Sequence, residues 1–465
     1  MTTATVSTFG TKQQKRAFLA SLVGTTVEWF DFFIYATAAT LVFSTVFFPD
    51  LGANVGMLAS FATLGVAFLA RPVGAFVFGH LGDRLGRRTT LITTLTVMGT
   101  ATGLIGLLPT WEQVGIWAPI MLTTLRFLQG VAVGGEWGGA VLMSVENAPK
   151  ARVRLYGSAP QIASPLALIL ATLVMYFVAR MPEDQLMSWG WRIPFIAGFV
   201  LVVIGMIIRL GVEESSEFTE VKKVGAVKEN PIATVFKKMP GKLAVGIGLQ
   251  ASVIVLFYLI TTYMLSMATK IHGLTKSDTL LILLIAAVVD FMAMVVVAFI
   301  CDRISAWKVF VAGVVFTAAF AFPLFALFDT GNMALMTVAF TVGLVLGHAT
   351  TYAVVSSMTA ELFPTAVRYS GVALTSAFVG VIWASPTPLL AAALVPTDGS
   401  EHWWPLAAML AGSAVISFVA ALAARRLFGS ADQEAGAEQE LPAEQARAVL
   451  ADPLPQVATV AGDVR

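Results

Sequence analysis

The decapeptide GHLGDRLGRR, residues 79–88, separates two long apolar runs at 55–78 and 89–108. Neither run suits water, and a decapeptide with four charges does not suit lipid. The sequence therefore predicts that residues 79–88 form a tight hairpin at a membrane surface, with a membrane-spanning helix on either side.

The small and charged residues of this hairpin are predicted to form part of a cytoplasmic gate. Its glycines let two helix ends approach closely: Gly79, Gly82 and Gly86. Asp83 can accept hydrogen bonds from the free amides of a helix start. Short cytoplasmic loops carry an excess of Lys and Arg, so three arginines assign the hairpin to the cytoplasm: Arg84, Arg87 and Arg88. The stretch resembles the loop signature between the second and third helices of the major facilitator superfamily.

Composition identifies the class of protein and excludes several others. The chain has 465 residues, of which 57% are hydrophobic and only 12% charged, against roughly 25% charged in soluble domains. Cys301 is the only cysteine, so neither an intrachain disulfide nor a cysteine metal cluster can form. The four histidines show no ligand spacing, and the net charge of +1 gives no footprint for nucleic acid. We expect no metal, no cofactor and no nucleic-acid partner; the lipid bilayer is the expected surrounding.

The apolar runs predict an all-α membrane protein with twelve spans, since a span needs about 20 mainly apolar residues. Six are placed at 18–48, 55–78, 89–108, 116–143, 156–178 and 193–210, and six at 243–268, 279–300, 309–328, 333–358, 372–394 and 404–428. The predicted units are an N-terminus at 1–17, a bundle at 18–211, a linker at 212–240, a bundle at 241–428 and a disordered tail at 429–465. Charge asymmetry predicts a multi-pass cell-membrane protein with both termini cytoplasmic.

Two short motifs recur in the same order in both halves of the chain. Asp-Arg-Leu at 83–85 returns as Asp-Arg-Ile at 302–304, 219 residues later, and a Glu-x-x-Pro motif at 146–149 returns at 361–364, 215 residues later. This predicts two pseudo-symmetric six-helix bundles with a substrate site between them. The second copy is weaker, since Ser-Ala-Trp at 305–307 replaces Gly-Arg-Arg. Charged residues after these motifs complete the predicted gate, whose ion pairs would break as the protein changes state: Glu146, Arg154, Glu361 and Arg368.

Acidic residues inside the first span are the first candidates for a functional site, because charges in lipid usually face an aqueous cavity. Glu28, Asp31 and Tyr35 share one helix face at 100° per residue. Two carboxylates this close in a low dielectric favour retention of a proton by one of them. Glu28 and Asp31 are therefore predicted to couple transport to protons; the alternative is a structural pair. Trp29 and Tyr35 are assigned to a substrate site.

Arginines in the second and fourth spans supply the complementary charge. Arg71 precedes a proline, and a buried guanidinium grips carboxylates bidentately; the alternative is a structural pair with Asp31 or Glu28. Arg126, Gln129 and Glu136 form one polar stripe on the fourth span. Arg71, Arg126 and Gln129 are predicted to bind substrate, and Glu136 to contribute to proton coupling. The glycines near them are expected to serve close helix packing.

Three isolated polar residues complete the candidates. Gln161 lies between Pro160 and Pro165, so an irregular backbone is expected there, with the amide directed to the cavity. It is assigned to the substrate site. Asp290 and His348 are single polar residues within spans, and each is open to either a packing or a functional role.

These motifs together resemble the metabolite:H+ symporter branch of the major facilitator superfamily, with shikimate-permease-like features in GGAVLMSVENAP at 138–149 and WGWRIPF at 189–195. The resemblance covers the membrane part of the chain. It implies proton-driven uptake, by alternating access, of a small metabolite such as a shikimate-like, aromatic or dicarboxylic acid. A monomer is expected to suffice.

Three alternative functions make different demands on the sequence. A symporter of a zwitterionic osmolyte, of the proline or betaine type, would keep the same fold. A proton-coupled exporter is disfavoured because the fifth span lacks a Gly-Pro-x-x-Gly-Gly pattern. A membrane enzyme would need a catalytic constellation, such as paired histidines on one helix, and the sequence has none.

Overall fold

The computed structural model describes residues 12–85, 87–134, 159–210, 231–300, 304–364, 367–395 and 402–439. Twelve long helices run through these residues. The first six are α1 (Lys12–Ala38, continued by a π-helical turn Ala39–Phe43 and by Ser44–Val46), α2 (Gly52–Leu85), α3 (Arg87–Gly106), α4 (Trp117–Gly134), α5 (Ala159–Val178) and α6 (Ile193–Leu210).

The second six helices contain three further π-helical segments. They are α7 (Pro240–Leu249, Ala251–Tyr258, π-helical Leu259–Tyr263 and Met264–Lys270), α8 (Lys276–Ile300), α9 (Ala306–Asp329), α10 (Met333–Val342, π-helical Gly343–Ala349 and Thr350–Glu361), α11 (Arg368–Val379, π-helical Gly380–Ala384 and Pro386–Leu394) and α12 (Trp404–Gln439). Shorter helices are Trp111–Val114, Glu183–Ser188 and Pro231–Lys238.

Apolar side chains cover the outer faces of the helices, and charged side chains lie inside the bundle. By length and composition, ten helical segments of the described chain can cross a membrane. Large apolar side chains such as Phe76, Leu107 and Ile207 are exposed on the outer faces, whereas charged side chains such as Asp31, Arg126 and Asp290 are buried. This distribution suits a hydrocarbon surrounding, because a charge facing lipid is costly.

Packing repeats between the halves, as the recurring motifs predict. In the first half α1 packs on α5, α2 on α4 and α3 on α6; in the second, α7 packs on α11, α8 on α10 and α9 on α12. Between the halves, α5 packs on α8 and α2 on α11, two pairs that exchange under the same operation. The π-helical turns of α1 and α7 also correspond, since they begin 220 residues apart, at Ala39 and Leu259. The predicted fold of two pseudo-symmetric six-helix bundles is therefore confirmed.

Three predicted boundaries differ from the structure. Helix α2 continues through residues 79–85 and α3 begins at Arg87, so most of the predicted hairpin is helical. The helix Pro231–Lys238 lies within the predicted linker, and α12 continues to Gln439, past the predicted start of the disordered tail. The remaining unit boundaries stay predictions.

The two halves meet at the end of the bundle opposite the 79–88 segment, here called the far end. There the Lys276 Nζ lies 2.6 Å from the Glu183 Oε1, and the Ser266 hydroxyl lies 3.0 Å from the Met57 sulfur. The π-helical turns of α1 and α7 also touch, with the Thr40 hydroxyl 3.4 Å from the Thr262 carbonyl oxygen. Contacts from α1, α2, α7, α8 and the short helix Glu183–Ser188 thus hold the halves together at the far end.

Candidate functional site

A buried polar cluster centred on Asp31 joins α1, α3 and α4. The Gln129 amide nitrogen lies 2.9 and 3.0 Å from the two Asp31 carboxylate oxygens, and the Thr102 hydroxyl donates to one of them at 2.5 Å. The Arg126 guanidinium lies 3.5 Å from the other oxygen and donates to the Gln129 side-chain oxygen at 3.0 Å. Asp31 and Arg126 are only 3% and 2% exposed. Gln129 thus bridges the acid and the base, while the Arg126 Nε is buried without a hydrogen-bond partner, as is that of Arg71.

Aromatic rings cover the rest of the Arg126 guanidinium. Its central carbon lies 4.1 Å from the Tyr35 ring centre and 5.4 Å from that of Phe32. The Tyr35 hydroxyl donates to Thr63 at 2.7 Å, which fixes the ring. Tyr35, predicted to contact substrate, is fully buried and instead serves as a surface for the arginine.

Arg71 occupies a different environment from Arg126. Its guanidinium lies over the Phe68 ring at 4.6 Å, its side chain is half-buried, and its Nε is buried without a hydrogen-bond partner. None of the described carboxylates lies within salt-bridge distance of it. Arg71 is within electrostatic range of Arg126, Tyr258 and Tyr352. It therefore faces the junction of the two halves as a cation whose charge no described acid balances.

Other predicted site residues surround this junction. Glu28 is buried and within electrostatic range of Tyr352, on α10. Trp29 is half-buried and stacks on Phe33 at 5.4 Å. Gln161 is half-buried, and its side-chain oxygen is buried without a partner.

The expected irregular backbone at Gln161 is wrong. Helix α5 begins at Ala159 and includes Pro165 without interruption. Pro160 lies in its first turn, where the missing amide hydrogen has no helical partner to lose.

Most of the other predicted site and gate residues lie outside the described residues. Glu136, Gly86, Glu146 and Arg154 lie outside the described residues, as do the side chains of 79–85, Arg87, Arg88 and Arg368. Of the predicted gate, only the Glu361 side chain is described; it is exposed and has an interaction partner. The gate therefore stays a prediction.

Close packing of α2 on α4 depends on two glycines. A Cβ at Gly130 would lie 2.2 Å from the Ala67 carbonyl oxygen, and one at Gly134 would lie 2.1 Å from that of Arg71. Any side chain there would collide with backbone, so these glycines serve helix packing, as expected. This contact holds Arg71 and Arg126 on neighbouring helices facing the same junction.

Sequence reasoning missed four contributors to the site. Thr102 binds Asp31, and Tyr258 packs edge-on against both Phe32 and Phe68 across the junction. Tyr352 of α10 lies near Ser164 of α5. Single threonines, serines and tyrosines in apolar helices carry no spacing signal, so nothing in the sequence distinguishes these four.

Asp290 and His348, considered separately in the sequence, form a pair. The His348 Nδ1 lies 3.1 and 3.3 Å from the two Asp290 carboxylate oxygens. The residues lie on α8 and α10, and they are 0% and 3% exposed. The second half thus contains its own buried acid and base.

One outward-facing groove is distinct from this junction. It encloses about 580 Å³ beside α2 and α4 at the far end and is lined mainly by apolar side chains, including Phe48, Val66, Trp111 and Phe127. It contains none of the predicted site residues.

Comparison with known proteins agrees with this architecture. The Major Facilitator Superfamily profile matches residues 22–385. The chain is 38% identical to the shikimate transporter of Escherichia coli K12 over 419 residues, covering 89% of this chain and 95% of that protein. It is 34% identical to the proline/betaine transporter of the same strain, covering 83% and 78%. The fold resembles a crystal structure of a D-xylose-proton symporter, with a TM-score of 0.68, 19% identity and coverage of 88% and 98%.

The family profile and these relatives agree with the predicted branch, and they confirm the expectation of a transporter rather than an enzyme. The chain belongs to the Major Facilitator Superfamily.

Proposed function

We propose that this protein is a proton-coupled symporter of the inner membrane that imports a small organic carboxylate by alternating access. Relatives named shikimate transporter and inner membrane metabolite transport protein, each 38% identical, support the substrate class and location. The observation that carries the proposal is the different use of the two arginines. Arg126 is neutralised by Asp31, whereas Arg71 pairs with none of the described acids.

Arg71 is the proposed anchor for the substrate carboxylate. A guanidinium offers a planar pair of donors that fits a carboxylate bidentately. Its unbonded buried Nε lacks the partner that a bound anion can provide. Gln161, with its unpartnered buried oxygen, and Trp29, half-buried beside Phe33, are proposed to contact the rest of the substrate.

Asp31 is the proposed proton carrier. While Asp31 is ionised, it neutralises Arg126, and the cluster has no need of a further anion. Protonation of Asp31 removes that counter-ion and leaves two cations, Arg71 and Arg126, within electrostatic range of each other. An anionic substrate then binds more favourably, because its negative charge compensates the positive charge that Asp31 no longer neutralises. Proton and substrate are coupled by this electrostatic exchange. Glu28 and Glu136 are proposed as further contributors.

A zwitterionic osmolyte is the second candidate substrate. Aromatic faces line the junction in one series: Trp29, Phe33, Phe257, His348 and Tyr352. Such faces attract a quaternary ammonium group, and proline/betaine transporters are among the relatives. The direction of flux under an imposed pH gradient distinguishes either importer from an exporter.

The test is uptake of a labelled panel into energised vesicles: shikimate, aromatic acids, dicarboxylates, betaine and proline. For a carboxylate importer, the carboxamide of the accumulated acid should fail to compete, whereas other small carboxylates should compete weakly. Equal inhibition by the neutral amide would refute carboxylate recognition. Accumulation of betaine or proline alone would favour the second candidate.

Arg71→Lys should raise the KM about 10–150-fold, the equivalent of the roughly 1.5–3 kcal/mol of a hydrogen bond to a charged group. The matched control is Arg180→Lys. Arg180 also lies 4.6 Å from an aromatic ring centre, that of Tyr176, but it is exposed at the far end. An unchanged KM in Arg71→Lys, or an equal effect in Arg180→Lys, would contradict the assigned role.

The cytoplasmic gate and a monomeric working unit complete the proposal. Gating charges at 79–88, Glu146, Arg154, Glu361 and Arg368 would hold the inside closed in the outward-facing state. Asp83→Asn should slow turnover more than it weakens substrate binding.

A further inference from the structure

The Asp290–His348 pair has no part in the mechanism described so far. Both side chains are buried within the second bundle, and both carboxylate oxygens lie within 3.3 Å of the His348 Nδ1. His348 lies in a π-helical segment, Gly343–Ala349, which packs against α7, α8 and α9, whereas Asp290 lies in the α-helical α8. Such segments in long helices frequently coincide with functional sites.

The imidazole is connected to the substrate junction by ring contacts. Its centre lies 4.7 Å from that of Phe257, which packs 5.7 Å from Phe33 in the first half. On its other side it stacks on Tyr352 at 5.0 Å. Tyr352 in turn lies near Ser164 and is within electrostatic range of Glu28 and Arg71. Tyr352 therefore links His348 to the neighbourhood of the proposed substrate anchor.

The charge of the pair depends on one proton. With a neutral imidazole, the buried Asp290 carboxylate leaves a net charge of −1 in low dielectric, which is unfavourable. Binding of a proton gives imidazolium and carboxylate, a hydrogen-bonded pair with no net charge. Burial thus favours the loaded pair, and contact with water on the opposite side permits release.

Few other titratable groups face this pair in the described residues. Helix α10 itself contributes Tyr352. Helix α7 contributes Tyr258, which is within electrostatic range of Tyr352. Helix α8 contributes Asp290, and α9 carries Lys308 and Asp329 only at its two ends. Helices α1 and α2 contribute Glu28 and Arg71 across the junction. Asp290 is the acid in direct contact with the imidazole.

We propose that Asp290 and His348 form a second proton-binding site of the transport cycle. One proton travels on Asp31 and another on this pair, so that two protons accompany each substrate. The proton enters from water on one side, neutralises the pair beside Arg71 and leaves to water on the other side. Its positive charge favours the anionic substrate while both are bound. This inference rests on the proposed proton-coupled import.

Two measurements test the inference. In proteoliposomes at zero membrane potential, the logarithm of the equilibrium accumulation ratio rises linearly with the imposed pH difference, with a slope equal to the number of protons per substrate. Labelled shikimate is the first probe, replaced by another acid of the panel if shikimate is not carried. The slope should be about two for the natural chain and about one for His348→Gln.

His272→Gln is the matched control. It removes a second histidine, which lies at the far end and is only partly buried. This partial burial lowers the pKa of His272 below its usual 6.5, despite the opposing influence of Asp329. This variant should keep the natural slope. The double variant Asp290→Asn/His348→Gln keeps two groups that can hydrogen-bond but neither of which titrates; it should also give a slope of about one, with counterflow exchange retained.

A ligand-free measurement accompanies transport. In NMR of the protein with isotope-labelled histidine, the signal lost in His348→Gln identifies this imidazole, and Asp290→Asn should change that signal, because the two side chains share a hydrogen bond. If His348→Gln or the double variant kept the slope of the natural chain, the inference would be overturned. A slope of one in the natural chain would also overturn it. A slope of zero in the natural chain would instead refute proton coupling, while the NMR signal would still report on the pair.

Discussion

The two halves share one architecture but hold their buried acids differently. In the first half, Asp31 is bound by three side chains, one of which, Arg126, carries a permanent charge. In the second half, Asp290 is bound by His348, whose charge depends on pH. In the first arrangement, the charges of Asp31 and Arg126 become unequal only when the acid binds a proton. The second changes its charge when either partner binds one. Pseudo-symmetric bundles can therefore contribute chemically different steps to one cycle.

The largest expected effect separates these two roles. Asp31→Asn removes the counter-ion of Arg126 and should abolish accumulation driven by a pH gradient, a loss of about 100-fold or more, while counterflow exchange remains in part. His348→Gln should retain accumulation at a reduced slope. The measurement is uptake in both modes at matched expression.

Asp184→Asn is the control for Asp31→Asn, because Asp184 is an exposed acid in the helix Glu183–Ser188. Equal loss of accumulation and counterflow in Asp31→Asn would show that the cluster is structural. That result would remove the proposed difference between the halves.

A medium effect should distinguish how each half is packed. A Cβ at Gly130 meets backbone of α2 at 2.2 Å, whereas a Cβ at Gly347 of α10 meets the end of the Leu256 side chain at 2.5 Å. Backbone cannot move aside as a side chain can, so Gly130→Ala should cost about 1–3 kcal/mol more stability than Gly347→Ala. Thermal unfolding in detergent measures the difference.

Gly412→Ala on α12 is the reference for those two variants, since a Cβ there has nothing within 4 Å. It should leave the unfolding temperature nearly unchanged. If Gly130→Ala and Gly347→Ala were equally destabilised, the first half would be no more rigid than the second.

The smallest expected effect concerns the charge that joins the halves at the far end. Glu183 is largely exposed, and exposed ion pairs contribute about 0–1 kcal/mol. Lys276→Met should therefore shift the opening of the far end by about fivefold at most. Met57→Ala, which removes the buried Met57 side chain and the sulfur that accepts a hydrogen bond from the Ser266 hydroxyl, should shift it more.

The rate of maleimide labelling reports this opening. An Ala268→Cys reporter in a Cys301→Ser background is buried while the far end is closed and leaves the Ser266–Met57 contact in place. Faster labelling in Lys276→Met than in Met57→Ala would show that charge, rather than packing, closes the far end.

Sequence patterns could predict the helices and the polar residues, but not which side chains pair. The spacing of Asp31 and Tyr35 correctly indicates a common face, because helical periodicity is local, and both residues contact Arg126. That Arg126 rather than Arg71 neutralises Asp31 depends on the depth at which α2 and α4 cross α1, which periodicity does not contain. Asp290 and His348 are separated by 58 residues, so their pairing requires the tertiary structure.

The predicted hairpin shows another limit of sequence interpretation. Its glycines and charges indicate a surface turn correctly, yet α2 remains helical to Leu85. Glycine costs only about 1 kcal/mol relative to alanine in a helix interior, which tertiary contacts readily offset. Most of the predicted hairpin therefore belongs to the two helices, α2 up to Leu85 and α3 from Arg87.

The π-helical turns decide which side chains a helix presents on either side of them. A π-helical turn holds more residues than an α-helical turn, so the helix face beyond the turn is rotated relative to the face before it. The turns at Ala39–Phe43 and Leu259–Tyr263 occupy equivalent places in α1 and α7, whereas those of α10 and α11 have no counterpart in the described parts of α4 and α5. Residues of α1 and α7 can therefore be matched between the halves by a constant offset, whereas residues of α10 and α11 beyond their turns cannot be matched in this way to α4 and α5.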